Sequence, residues 1–281
     1  AHQGRQAVRG TDRFMQAAED NHRFARRRRT DGTVSAQEEA SDVLEELAHA
    51  TWAAGEPTIH FADTIANGNP CPEIGPVRAS TPSSEYFFLD DTACPLACIN
   101  LIALSDAKGC LDLELFSHTV RISTLMLDIS VGISQYPSRE MARRTYDTRP
   151  LGLGFANFAP LAMRAGFAYD SDAARATAAA IAAYLTGEAQ NVSAEIARER
   201  GAFSQFEKSR VSYVKAIAAK REKLSALEAS AQPLILAAAK RSLETAQINP
   251  ALYRARNAQL TVVPPTSTIA TSASAAPRWM N

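Results

Sequence analysis

The chain is 281 residues long, enough for one large core or two small ones, and its 46% apolar content argues against disorder along the whole length. Lys and Arg number 30, as do Asp and Glu, so the net charge gives no case for nucleic acid or an anionic membrane as a partner. No apolar run reaches the roughly 18 residues that a membrane span needs.

The first predicted helix runs from about Asp12 to Ala25 and leads into a basic stretch, Arg23 and then Arg26-Arg27-Arg28-Arg29. That run reads either as a solvated basic face or as a place for phosphate or an acidic partner. Ser35 and Glu38 have capping-box spacing and predict a second helix, with Val43, Leu44, Leu47 and Trp52 on its apolar face and Gly55-Glu56-Pro57 as its stop. From Thr58 to Ser84 the density of Pro, Gly and Asn predicts loops joined by short extended pieces. Tyr86-Phe87-Phe88-Leu89 suits a buried strand.

Helix resumes over Leu111 to Ser134, with Phe116, Val120, Leu127 and Val131 inward, and restarts after Pro137-Ser138. Ser171 and Asp172 are N-caps for a long alanine-rich helix that should reach about Arg200, before Gly201. Residues 211 to 232 form an amphipathic helix that Pro233 interrupts, and Leu234 to Thr245 continues as helix. Leu260-Thr261-Val262-Val263 is the second strand candidate, ended by Pro264-Pro265. Helices outnumber strands, and no internal repeat is visible.

The four cysteines are Cys71, Cys94, Cys98 and Cys110. They form no Cys-x-x-Cys pair and have no companion His pair, so neither a disulfide scaffold nor a structural metal is expected. Cys98 and Cys110 read as packing residues. The opening Ala1-His2-Gln3-Gly4-Arg5 holds no apolar segment of signal-peptide type, and Ala1 in place of Met leaves room for a removed upstream segment.

The stretch that carries most chemical information is Ser83-Ser84-Glu85-Tyr86-Phe87-Phe88-Leu89-Asp90-Asp91-Thr92-Ala93-Cys94. Other distinctive blocks are Thr30-Asp31-Gly32, Asp63-Thr64-Ile65, Tyr146 through Asn157 with its Arg149-Pro150-Leu151-Gly152-Leu153-Gly154 core, Tyr169 through Asp172, Leu185 through Ala189, and Arg256 through Ile269. In this order the blocks resemble the large chain of the vitamin B12-dependent (class II) ribonucleotide reductases. The resemblance implies a helix-rich α/β fold, part of a ribonucleotide-reductase-type α/β barrel whose finger loop carries a radical cysteine. It further implies one domain over 1–281, with 1–34 and 270–281 peripheral. Barrel strands on either side of this piece are absent from the sequence, so partner chains are expected to cover the open strand edges.

At the radical position the resemblance places Ser83, and Thr81 replaces the asparagine that orients substrate in the family. Glu85 keeps the general-base carboxylate. A thiol S–H bond is weak enough to be broken and remade reversibly, whereas the serine O–H is far stronger. A second register places Asn69, Cys71 and Glu73 in those three roles. Cys94 is the reducing thiol in either register, against the plainer reading of a buried structural cysteine. Thr266, Ser267 and Thr268 resemble the family's substrate-phosphate loop, with Ser267 in the place of a glycine; an ordinary Ser/Thr turn is the competing reading. Gly152 and Gly154 are expected to allow a tight turn against neighbouring helices.

Three functions follow as expectations. The first is a catalytically silent structural or accessory subunit of a larger assembly. The second is one chain of a split reductase, and the third a nucleotide-binding regulatory module. No cofactor is expected, and adenosylcobalamin enters only if the family activity is retained. Composition does not choose between a bacterial cytoplasm and an organelle matrix.

Overall fold

The computed structural model describes residues 6–28, 30–225, 231–245, 253–266 and 269–270. The chain divides into two compact units, Ala1–Asn69 and Pro70–Asn281.

In the first unit, β1 (Ala7–Gly10) and β4 (Thr58–Phe61) pair in parallel, with Ala7 opposite Thr58. Between them come α1 (Asp12–Glu19), the antiparallel strands β2 (Arg23–Arg27) and β3 (Val34–Glu39), and α2 (Ala40–Ala54); α3 (Ala62–Asn67) follows β4. The Thr11 hydroxyl caps α1 by accepting from the Phe14 N–H at 3.2 Å.

Several expectations change here. The first helix stops at Glu19 rather than Ala25, because Asn21 turns left-handed (φ 54°) and the next residues pair as β2. Ser35 and Glu38 form no capping box; both lie in β3, where Glu38 pairs with Arg26 at 3.1 Å and Glu39 with Arg23 at 3.3 Å. Cross-strand ion pairs thus absorb part of the basic run. Arg29 lies outside the described residues. On α2, Val43, Leu44 and Leu47 line an apolar cavity of about 330 Å³ with Val8, Phe14 and Phe24, while Trp52 is 83% exposed rather than part of that face.

The second unit opens on a short antiparallel hairpin, β5 (Ala79–Ser80) with β6 (Phe87–Phe88). Strands β7 (Leu96–Asn100) and β8 (Gly152–Ala156) pair in parallel. The predicted Leu260–Val263 strand is present only as an extended segment beside β8, bridged at Thr261. There the Leu151 N–H donates to the Gln259 carbonyl at 2.8 Å, and the Leu153 N–H donates to that of Leu260 at 2.9 Å.

Helices α4 (Leu113–Ile133), α5 (Arg139–Thr148), α6 (Phe158–Arg164), α7 (Asp172–Arg200), α8 (Phe206–Ser225) and α9 (Pro233–Thr245) complete the unit. The alanine-rich helix has the predicted bounds: the Ser171 hydroxyl accepts from the Ala174 N–H at 3.1 Å, and Gly201 ends it. Its small residues let α9 approach, and a Cβ on Gly187 would stand 2.6 Å from Ser242 Oγ. The fold is helix-rich α/β, and no sheet closes among the described residues.

Gly152 and Gly154 do not make the tight turn that was expected. Both lie within β8, where a Cβ would stand 2.3 Å from Leu96 Cδ2 in the first case and 2.6 Å from Pro264 Cδ in the second. They allow side chains of the neighbouring extended segments to cross the strand.

Candidate functional site

The candidate site is built on the β5–β6 hairpin. The Thr81 carbonyl accepts from the Ser84 N–H at 2.9 Å, its N–H donates to the Tyr86 carbonyl at 3.1 Å, and its hydroxyl accepts from the Tyr86 N–H at 3.2 Å. Ser84 closes the turn in the left-handed region (φ 60°). Ser83 is therefore an exposed hydroxyl at the hairpin tip, and Thr81 is the residue that folds the turn.

Glu85 follows, half-buried, with Oε2 enclosed and without a hydrogen-bond partner. A carboxylate oxygen in that state is costly unless a donor is supplied. Beyond the strand, the Asp91 turn (φ 56°) brings Cys94 back to Glu85 and Tyr86. The Thr145 hydroxyl on α5 holds this return by accepting from the Ala93 N–H at 2.9 Å. Burial, opposed by the hydrogen bond with Tyr86 and helped by the Glu85 charge, pushes the Cys94 thiol up to about 11. Burial likewise moves the Tyr86 hydroxyl well above its ordinary range. Glu85, Tyr86 and Cys94 thus form one cluster of protonatable groups under the hairpin tip.

Cys71 is fully buried among Phe203, Phe206, Tyr213 and Tyr253, in the same apolar cluster as Tyr86. Burial pushes its thiol up to about 12, with the Glu73 charge adding to the rise and the Ser209 hydroxyl opposing it. The Glu73 carboxylate accepts from the Ser212 hydroxyl on α8, which holds it below the usual carboxylate range. Asn69 closes the first unit, its N–H donating to the Ala66 carbonyl at 3.2 Å.

Of the predicted phosphate loop, Ser267 and Thr268 lie outside the described residues. The Thr266 carbonyl accepts from the Ala270 N–H at 2.7 Å.

A buried polar network escaped sequence reasoning. Arg149, left-handed at the end of α5 (φ 47°), donates from Nε to Asp128 Oδ1 at 2.8 Å and from Nη2 to the Asp128 carbonyl at 2.6 Å. Asn257 Nδ2 donates to Asp128 Oδ1 at 2.8 Å and to the Arg149 carbonyl at 3.0 Å. The Ser193 hydroxyl on α7 donates to Asn257 Oδ1 at 2.9 Å and accepts from the Arg256 N–H at 3.0 Å. These bonds fix the start of the segment that runs beside β8 toward Pro264. The signal available in the sequence was Asp128 itself, a carboxylate at the buried spacing of Thr124, Leu127 and Val131 on α4. Such a group requires a buried partner.

Residues 6–277 match the family model described as ribonucleotide reductase, barrel domain. The vitamin B12-dependent ribonucleotide reductase of Agrobacterium fabrum is 43% identical over 207 residues, which is 73% of this chain and 16% of that protein. The enzymes of the same name from Bradyrhizobium diazoefficiens and Rhodopirellula baltica are 36% and 35% identical, over 92% and 94% of this chain. The chain spans 22% and 26% of those two proteins, so it corresponds to a minor part of each relative's length.

Proposed function

This chain belongs to the ribonucleotide reductase barrel-domain family, and from that premise we propose that it is a catalytically silent barrel module, retained as a structural or accessory part of a larger assembly. The observation that carries this reading is the hydroxyl of Ser83 at the hairpin tip. Thiyl-radical chemistry needs an S–H group where the substrate hydrogen is taken, and a serine O–H is too strong a bond to serve. The relatives depend on vitamin B12 by name. Adenosylcobalamin would need a thiol at this tip to receive the radical, and the residue present does not fit that chemistry.

Two further observations support the reading. Cys71, the other candidate thiol, is walled in by aromatic rings, so a ribose could reach it only if that packing opened. The short pairs β5–β6 and β7–β8, the latter extended only by the segment beside β8 at 259–262, are compatible with a partial barrel whose edges other chains would cover. Glu85 and Cys94 then act as buried framework beneath the hairpin.

The accessory role is tested by purification from the source cells under native conditions. The account expects the chain to elute with stoichiometric partner chains, and a form deleted for residues 79–94 to lose them. A chain that elutes alone at its own mass overturns the accessory role.

A further inference from the structure

Helix α8 carries a lysine in line with its buried residues. Tyr213, Ile217 and Leu224 are each 3% exposed, and Lys220 falls between them at the i, i+4, i+7, i+11 spacing of one helix face. Lys220 is exposed along one side and lines a cavity of about 20 Å³ between α7, α8 and the segment beside β8.

The hydroxyls around this cavity are already engaged. That of Thr186 donates to the Ala182 carbonyl at 2.8 Å and pairs with the Thr261 hydroxyl at 3.0 Å. That of Tyr213 donates to the Asn257 carbonyl at 2.9 Å, and Gln259 Nε2 donates to the Thr261 carbonyl at 3.3 Å. Gln190 is different. It lines the cavity at 3% exposure, and its Oε1 is enclosed with no hydrogen-bond partner among the described residues. An enclosed acceptor in that state is costly until a donor reaches it.

Among the described residues no carboxylate lines the cavity, and Tyr213 is its one titratable group besides Lys220. The lysine therefore has no counter-ion there. Burial lowers its pKa from the ordinary range, which raises the share of neutral, nucleophilic amine.

We propose that Lys220 is a site of N-acylation by a small activated acyl donor, an acyl phosphate or a thioester, and that the amide N–H so formed donates to Gln190 Oε1. The lone pair of the amine nitrogen bonds to the acyl carbon while the bond from that carbon to phosphate oxygen or thioester sulfur breaks. The leaving group takes the bonding pair and accepts the proton that nitrogen gives up, and nothing is oxidised or reduced. The product is uncharged, so it suits a cavity without a carboxylate, and it supplies the donor that Gln190 lacks. A cavity of about 20 Å³ admits a short acyl group such as acetyl and not a long chain.

The test treats the purified 281-residue chain with limiting acetyl phosphate in one arm and an acetyl thioester in the other. Mass spectrometry reads the acetylated fraction at each lysine. Lys215 and Lys223, exposed on the same helix, are the internal comparison. Lys220 is expected to react fastest of the three with at least one donor, and the arms tell the two donors apart. It should also lose the least of its rate as pH is lowered from about 9 to about 7.

A chain carrying acetyl-lysine at position 220, incorporated during synthesis, should melt higher than the unmodified chain. In a Gln190→Leu background the same modification should bring no gain. Comparing modified and unmodified forms of that variant cancels the cost of the substitution itself. Lys220 reacting no faster than Lys215 and Lys223 with either donor overturns the proposal. So does a modification that leaves the melting temperature of wild type unchanged or lower, or an equal gain in Gln190→Leu. The reactivity arm needs no variant, and none of these readouts depends on catalysis.

Discussion

Arg149, Asp128 and Asn257 show how one residue's burial fixes the chemistry around it. The ion pair is almost fully enclosed, with side-chain exposures of 5% and 8%. Removing one partner of such a pair leaves a charge without compensation, whereas replacing both with apolar groups removes the desolvation cost as well. Asp128→Asn or Arg149→Met should therefore cost roughly 3–5 kcal/mol in denaturant melts. The double variant Asp128→Leu/Arg149→Met should cost clearly less than the two single losses combined.

Cys71 carries the pH dependence at this scale. In the unfolded chain a thiol ionises near pH 8.5, whereas in the fold burial delays ionisation to about 12. The unfolded state releases its proton first, so the contribution of Cys71 is complete below about pH 8.5 and is lost as pH rises toward 12. Cys94, moved up to about 11, acts in the same direction, as do Tyr86, Tyr213 and Tyr253 from their own ordinary range upward. The denaturant midpoint should fall steadily between pH 8.5 and 11, with a shallower fall in Cys71→Val. A flat profile in wild type would contradict the buried, protonated thiol.

At the scale of elements, legibility followed how local the determining forces are. Helix α7 was readable to its ends because Ser171 and Gly201 act within a turn of where they stand. Strands β2 and β3 were not, because what holds them is the antiparallel ladder between them, to which the exposed pairs Arg23–Glu39 and Arg26–Glu38 add little. Ser35 and Glu38 met the capping-box spacing, but this pairing overrode the local preference. That Ser83 stands at a hairpin tip and that Thr81 closes the turn both needed the backbone. The glycines were seen and given the wrong neighbours, since spacing does not say which chain segment will cross a strand.

Gly187 is the sharpest element-level case. An alanine there gains about 1 kcal/mol of helix propensity. Its Cβ would stand 2.6 Å from Ser242 Oγ and 3.0 Å from the Leu243 amide nitrogen, so α9 would have to shift. Overpacking of that kind costs about 1–3 kcal/mol. Gly187→Ala should therefore lower the melting temperature, and a rise would show that α7 and α9 are less closely packed than described.

For the whole molecule, the family is shown by the match over residues 6–277, and the loss of activity is our proposal. Within that stretch lie the parallel strands, the Arg149–Asp128–Asn257 network and the hairpin under which Glu85 and Cys94 lie. What the proposal denies is the step the hairpin serves in an active reductase, because the tip carries Ser83. The most direct measurement is deoxyribonucleotide formation by the native assembly, supplied with adenosylcobalamin and a dithiol reductant, for wild type and Cys71→Ala. The account predicts that any turnover belongs to other chains and is the same in both. Turnover present in wild type and abolished by Cys71→Ala would contradict it.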